Sequence, residues 1–264
     1  MKEKYIGIFD SGIGGLTVVK SIIEMMPNEN IIYFGDTLNM PYGNKSDEEI
    51  INFVLSNGAF LSSFDLKAML IACNTADSVG RNELKNHYDL PIFGVVQPAS
   101  LKAVQTTINK KVGVIATAAT VNSKAYESAI SKLDSSVEVY CSACPELASL
   151  VEEGKFTKDD LYTVEKLNEY LKPLIDMDVD TLILGCTHYP LLTEIIQDIM
   201  PDVNIISSSD CAARKLHDYL EENELLNDKL LKREYYVSSD PERFIRVADI
   251  FMGKLDGEVK LKEL

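Results

Sequence analysis

The sequence predicts an α/β protein of two pseudo-symmetric units, each a mainly parallel sheet flanked by helices. Short β-branched runs alternate with segments of helical periodicity, as expected for parallel strands joined by crossover helices. Two of these runs end in a cysteine followed closely by threonine, at Cys73 and Cys186. Because ligands of open α/β sheets bind at the carboxyl ends of strands, the two thiols indicate a site with one thiol on each face of a substrate.

Local sequence patterns define the individual elements. Strands are predicted where a short apolar run is rich in Ile, Val and Leu and bounded by turn residues. Helices are predicted where apolar residues recur every three to four positions. In chain order the predicted strands are 5–9, 31–34, 68–73, 92–96, 112–116, 137–141, 181–186 and 204–206. The predicted helices are 16–26, 47–60, 98–108, 123–133, 158–171, 191–200, 211–221 and 241–251.

A faint internal duplication supports the two-unit prediction. The first strand contains Gly7 and the fifth contains Gly113, and each is followed at a similar distance by a strand that ends in Cys73 or Cys186. A site shared by both thiols would then lie in the cleft between the units, where small-molecule pockets are common.

Composition excludes several classes of partner. The net charge of −15 and the pI near 4.7 argue against nucleic acid, which requires clustered Lys and Arg. No apolar stretch approaches the roughly 18 residues of a membrane-spanning helix, and the amino terminus has no signal-peptide core. The five cysteines lack the spacing of a disulfide framework. We therefore expect a reduced, cytoplasmic protein with free thiols and no membrane partner.

The first strand ends in a glycine-rich turn, Asp10-Ser11-Gly12-Ile13-Gly14-Gly15. The turn fails the dinucleotide fingerprint because Thr17 occupies the position of the third glycine and Asp10 would face a pyrophosphate. A carboxylate beside hydroxyl and N–H donors suits a zwitterion better: Asp10 would orient an ammonium group and Ser11 would hold a carboxylate. The alternative is a helix cap, for which Asp and Ser are favoured in any protein.

Either cysteine taken alone would more often be an ordinary buried residue than a functional one. The matched strand-end positions favour function, because amides at a helix amino terminus lower the pKa of a thiol. His188, two residues after Cys186, is placed to exchange a proton with that thiol. A zinc site of Cys73, Cys186 and His188 is a second interpretation, although two thiolates on one metal leave no space for substrate between them.

Two further patterns receive structural interpretations. The Cys141-x-x-Cys144 pair lacks a second pair and is assigned to the scaffold. The segment Glu152-Glu153-Gly154 is typical of a helix end.

Nearly the whole chain resembles the glutamate racemase family, whose members interconvert L- and D-glutamate without a cofactor and supply D-glutamate for peptidoglycan. The resemblance rests on several long motifs in order. These are Phe9-Asp10-Ser11-Gly12-Ile13-Gly14-Gly15-Leu16-Thr17, Tyr33-Phe34-Gly35-Asp36, Pro41-Tyr42-Gly43, Ala72-Cys73-Asn74-Thr75-Ala76, Gly113-Val114-Ile115-Ala116-Thr117 and Leu184-Gly185-Cys186-Thr187-His188-Tyr189-Pro190.

The resemblance implies specific roles. Cys73 and Cys186 would be the acid/base pair, with Cys73 taking the α-proton of D-glutamate and Cys186 that of L-glutamate, assisted by Asp10 and His188. Substrate would be held by Asp10, Ser11, Tyr42, Gly43, Asn74, Thr75, Thr187 and His188, with Thr117 and Thr120 as further candidates for the pocket wall. No metal and no cofactor are expected.

The resemblance also implies an organisation. Residues 1–97 and 208–264 would form the first domain, residues 98–207 the inserted second domain, and the protein would be a homodimer. Asp77 and Gln97 depart from the common pattern, and Asp77 should lie in the first turn of a helix, where negative charge is favourable. The alternatives are a racemase for aspartate or another amino acid, and a non-catalytic amino-acid-binding module. His188 favours glutamate, because aspartate racemases typically carry Glu there.

Overall fold

The computed structural model describes residues 4–230 and 232–264, which form two parallel sheets flanked by helices. The strands are β1 Tyr5–Asp10, β2 Asn30–Gly35, β3 Leu66–Ile71, β4 Ile92–Gly94, β5 Lys111–Ala116, β6 Glu138–Ala143, β7 Thr181–Gly185, β8 Asn204–Ser207, β9 Arg233–Val237 and β10 Glu258–Leu261. The helices are α1 Leu16–Met25, α2 Asp47–Leu61, α3 Asn74–His87, α4 Val96–Thr106, α5 Ala118–Asn122, α6 Ala125–Leu133, α7 Leu147–Glu152, α8 Leu161–Asp176, α9 Thr193–Ile199, α10 Ser208–Glu222 and α11 Pro241–Met252. The predicted fold class is confirmed.

The central strands of the two sheets are arranged in the same order. The first has the order β10-β9-β2-β1-β3-β4 and the second has the order β6-β5-β7-β8. In each sheet the glycine-bearing strand, β1 or β5, lies between the next strand in sequence and the strand that leads to a cysteine. The duplication predicted from sequence therefore corresponds to a repeated strand order.

The carboxyl-terminal part of the chain belongs to the first sheet. Strand β9 pairs with β2, and β10 pairs with β9. Neither strand was predicted, because both are rich in charged residues. Their charges are compensated within the fold: Arg233 forms an ion pair with Asp256, and Lys260 bonds Glu234 at 2.7 Å. These long-range contacts are invisible to a local hydrophobic pattern.

Some predicted boundaries are wrong for identifiable reasons. Residues 95 and 96 were assigned to a strand, whereas β4 ends at Gly94 and α4 begins at Val96, because the Asp77 carboxylate accepts the Val96 N–H at 2.8 Å. Asp77 does lie in the first turn of α3, but its side chain caps a different helix. The predicted helix 191–200 is divided, because a 3₁₀ turn over Tyr189–Leu192 precedes α9.

Helix α10 connects the two units. It follows β8 directly and packs against α1 on the first sheet and α4 beside the second. The hydroxyl groups of Thr17 and Ser209 lie 2.9 Å apart in this contact. Within residues 4–230 and 232–264, none of the helices combines the length and apolarity that crossing a bilayer requires.

Candidate active site

The strand ends deliver the two thiols as predicted. Strand β3 ends at Ile71 and Cys73 forms the amino-terminal cap of α3, while Cys186 directly follows the last residue of β7. Both thiols are largely enclosed, with Cys73 5% and Cys186 6% exposed.

Cys73 lies beside the glycine-rich turn. Its Sγ is 3.4 Å from the hydroxyl of Ser11 and accepts the Ala76 N–H at 3.5 Å. Burial, followed by the negative charge of Asp10, raises the pKa of Cys73 to about 12, and the bonds from Ser11 and Ala76 only partly oppose this. The Ala76 amide at the start of α3 does lower the pKa of this thiol, as expected, but desolvation outweighs it and leaves the net shift upward.

Cys186 begins a chain of polar contacts. Its Sγ lies 3.6 Å from Nδ1 of His188, and Nε2 of His188 lies 2.9 Å from Oε1 of Glu152. Oε2 of Glu152 accepts a hydrogen bond from Arg243 at 2.8 Å. Burial disfavours the imidazolium, but the contacts with Cys186 and Glu152 outweigh it and raise the pKa of His188 to about 10. His188 is therefore protonated at neutral pH.

Glu152 is a site residue that sequence reasoning missed. The segment 152–154 was assigned to a helix end, and Glu152 is indeed the last residue of α7. A helix end gave no signal for a role, because the partner, His188, is distant in sequence. A buried histidine next to a strand-end cysteine was the available hint, since such an imidazole usually has a carboxylate on its second nitrogen.

Asp10 lies at the base of the site as the last residue of β1. Its Oδ2 accepts the Gly12 N–H at 2.9 Å, while its Oδ1 is buried without a hydrogen-bond partner among residues 4–230 and 232–264. Burial raises the pKa of Asp10, and the charge of His188 opposes that shift. A Cβ at Gly15 would lie 2.5 Å from the Cβ of Asp10, so glycine is required for this close approach.

Three threonine hydroxyls meet across the units. Oγ1 of Thr75, from α3, lies 2.9 Å from Thr117 and 3.2 Å from Thr120, which flank the start of α5. Each hydroxyl can both donate and accept, so the cluster can reorganise around a carboxylate. The predicted pocket-wall residues Thr117 and Thr120 thus contact a predicted binding residue.

Asn74 and Thr187 are tied into the scaffold of the site. The Asn74 side chain accepts a hydrogen bond from Tyr126 at 2.6 Å and donates to Ser208 at 3.3 Å. The Thr187 hydroxyl lies 3.5 Å from Nδ1 of His188, so it shares that nitrogen with Cys186. Both residues thus lie beside the thiols, although the Asn74 amide is already engaged.

Tyr42 and Gly43 lie in a 3₁₀ turn over Tyr42–Asn44. The phenol of Tyr42 is buried, donates to Asp36 at 2.5 Å and accepts from Asn57 at 3.0 Å. Its side chain therefore covers core, and a role in binding falls to the backbone of the turn. A Cβ at Gly43 would lie 3.0 Å from Thr117, which puts this turn against the threonine cluster.

Two other features bear on the site. A cavity of about 880 Å³ lies behind α3, lined by residues such as Arg81, Lys85 and Tyr219 rather than by either strand-end thiol. This cavity is therefore separate from the two thiols. In the described part of the chain, no cluster of three or more His, Cys, Asp or Glu side chains could hold a metal ion, so the geometry gives no support to a zinc site.

Two enclosed thiols, carried on equivalent strands of two similar sheets, define the class of two-unit α/β amino-acid racemases. The chain belongs to the Asp/Glu/Hydantoin racemase family, whose model matches residues 6–216.

Similar proteins cover the whole chain. The glutamate racemase of Thermoanaerobacter pseudethanolicus is 43% identical over 256 residues, which are 96% of this chain and 95% of that protein. The crystal structure of glutamate racemase isoform RacE1 from Bacillus anthracis is 38% identical, has a TM-score of 0.95, and matches 100% of this chain and 99% of its own. The crystal structure of Francisella tularensis glutamate racemase in complex with D-glutamate is 36% identical and has a TM-score of 0.92. The match covers 100% of this chain and 98% of that chain.

Proposed function

We propose that this protein is a glutamate racemase that interconverts L- and D-glutamate by proton transfer between two thiols, without a cofactor. The observation that carries the proposal is the delivery of Cys73 and Cys186 from equivalent strand ends of two matching sheets. The similarity to glutamate racemases over nearly the full chain supports glutamate as the substrate.

The two thiols take opposite roles. The thiolate of Cys186 removes the α-proton of L-glutamate, and the thiol of Cys73 delivers a proton to the other face of the carbanion. The product is D-glutamate, with Cys73 left as thiolate and Cys186 as thiol, and the reverse reaction starts from that state. Because the pKa of Cys73 is raised to about 12 in the enclosed site, Cys73 is protonated at neutral pH, as conversion of L-glutamate requires.

The polar partners control protonation. His188, protonated at neutral pH, donates from Nδ1 to Sγ of Cys186 and orients that sulfur. Asp10, with a free buried oxygen, accepts the substrate ammonium, which stays protonated throughout. The carbanion must be stabilised by fixed donors and by this ammonium, because no ring system is proposed to delocalise its charge.

Neutral groups hold the two carboxylates. We assign this role to the hydroxyls of Ser11, Thr75 and Thr187, to the amide groups around Asn74, and to the backbone of Tyr42 and Gly43. The Thr117 and Thr120 hydroxyls support Thr75. No arginine lies in the motifs that carry these residues, so neutral donors are assigned to both carboxylates.

The domain division extends the same proposal. Residues 1–97 and 208–264 form the first domain and residues 98–207 the second, supported by the pairing of β9 with β2. The boundary at 97/98 falls in the first turn of α4. A homodimer, a cytoplasmic location and a supply of D-glutamate for peptidoglycan follow from the family resemblance and complete the proposal.

The test is proton NMR of L-glutamate in D₂O with purified protein and EDTA, without pyridoxal phosphate, alongside chiral analysis. Deuterium at Cα together with formation of D-glutamate is expected. Absence of both, with folded protein and reduced thiols, overturns the proposal. A substrate panel that includes aspartate identifies a different specificity, and binding of glutamate without exchange identifies a non-catalytic module.

A further inference from the structure

Helix α11 belongs to the unit of the first sheet, whereas α7 belongs to the unit of the second. Helix α11 packs against α1 and β10, which belong to the first sheet, whereas α7 packs against α8 beside the second. The ring of Phe251, near its end, meets the His188 imidazole edge-on, with ring centres 5.4 Å apart. Near its start, Arg243 donates to Oε2 of Glu152 at 2.8 Å. One helix therefore contacts both members of the His188–Glu152 pair.

We propose that Arg243 is a positioning residue for proton transfer at Cys186, a proposal that rests on the racemase function given above. The path is short and continuous. Arg243 holds one oxygen of Glu152, the other oxygen bonds Nε2 of His188 at 2.9 Å, and Nδ1 of His188 faces Sγ of Cys186. A carboxylate held at both oxygens cannot rotate, so the imidazole keeps its orientation toward the sulfur.

The guanidinium acts through geometry more than through charge. Its positive charge opposes the imidazolium, whose surroundings include Asp10, Cys186 and Glu152. However, the Arg243 side chain is 44% exposed while that of Glu152 is only 14% exposed, so water screens the guanidinium more than the pair it holds. Loss of Arg243 should therefore free the Glu152 side chain more than it changes the field at His188.

The ion pair between Arg243 and Glu152 also depends on how closely the two units approach each other. Arg243 is carried by a helix of the first sheet and Glu152 by a helix of the second. The pair forms when the two units approach as they do in this structure, in which both thiols are enclosed. Arg243 thus links enclosure of the substrate to alignment of one of the two thiols.

The test compares three substitutions in the full-length protein: Arg243→Met, Arg243→Lys and the control Arg246→Met, which removes an exposed arginine from the same helix. Primary isotope effects on kcat are measured with L-[2-²H]glutamate, which reports abstraction by Cys186, and with D-[2-²H]glutamate, which reports abstraction by Cys73. We expect Arg243→Met to lower kcat roughly three- to tenfold and to increase the isotope effect for the L-enantiomer selectively. Arg243→Lys should recover part of the loss, and Arg246→Met should match the unsubstituted protein.

A double substitution checks the path. If Arg243 acts through Glu152, Arg243→Met combined with Glu152→Gln should lose no more activity than Glu152→Gln alone. Additive losses overturn the proposal, as do equal increases in both isotope effects or an Arg243→Met protein that behaves like Arg246→Met. Failure of the unsubstituted protein to racemise glutamate refutes the proposed function instead, and melting temperatures show whether each variant is folded.

Discussion

Oε1 of Glu152 lies 2.9 Å from Nε2 of His188, and this contact joins the end of a helix to the residue two positions beyond the Cys186 thiol. Both side chains are largely buried, so their opposite charges interact with little screening by water. Together with the contact between His188 and Cys186, this contact explains how a buried imidazole keeps a proton at neutral pH despite its desolvation. Through Glu152, helix α7 therefore contributes to the acid/base system as well as to the scaffold.

Replacing Glu152 with glutamine should lower activity and change its pH dependence. The amide keeps the shape of the side chain but removes the negative charge, so the pKa of His188 should fall from about 10. We expect a roughly 10- to 100-fold loss of kcat and a shift of the high-pH limb of kcat/KM to lower pH. An unchanged pH profile for Glu152→Gln would separate this carboxylate from the protonation of His188.

Replacing either strand-end thiol should abolish racemisation while leaving the fold intact. Serine is close in size to Cys73 or Cys186, but its hydroxyl is far too weak an acid to exchange protons at neutral pH. The expected loss of kcat is roughly 10²- to 10⁴-fold or more. Cys141→Ser is the matched control, because this half-buried cysteine lies on β6. Substantial turnover by Cys73→Ser or Cys186→Ser would remove that thiol from the mechanism.

The sequence was most informative where chemistry and local structure coincide. Cys73, Cys186 and Asp10 lie at the ends of apolar strands or within two residues of them, so their location at a carboxyl edge follows from the strand pattern and the topology of parallel sheets. His188 follows one of them within two residues. Their placement at the carboxyl edges of the two sheets was therefore predictable from short segments.

The features that the sequence did not predict depend on contacts between residues that are distant along the chain. Glu152 bonds His188 and Arg243 bonds Glu152, from two helix termini that carry no local motif and lie 91 positions apart along the chain. The raised pKa of Cys73 required the degree of burial, which a sequence pattern does not give. The start of α4 at Val96 similarly depends on Asp77, 19 positions earlier.

A methyl group at Gly14 should disrupt the site directly. A Cβ there would lie 2.4 Å from both the His188 ring and the Thr187 hydroxyl, so those side chains would have to move. Gly14→Ala should therefore reduce kcat/KM strongly, by roughly tenfold or more, because small displacements at a reacting centre are costly. Gly7→Ala is the control, since its Cβ would meet the flexible end of Leu66 at 2.8 Å. Equal activity in the two variants would contradict the close approach of the turn to His188.

The protonation of His188 should make stability depend on pH. Its pKa rises from an ordinary 6.5 to about 10 in the folded protein, so between these values the folded state binds more protons than the unfolded state. The resulting stabilisation is fully present below pH 6.5 and is lost progressively as the pH rises toward 10. We expect the free energy of unfolding in urea to fall between pH 6.5 and about 7.5, a range that stays about one pH unit below the ordinary pKa of a thiol. The fall should be steeper than in His188→Gln, because glutamine at position 188 does not titrate. Parallel curves for the two proteins would show that His188 is not protonated in the folded state.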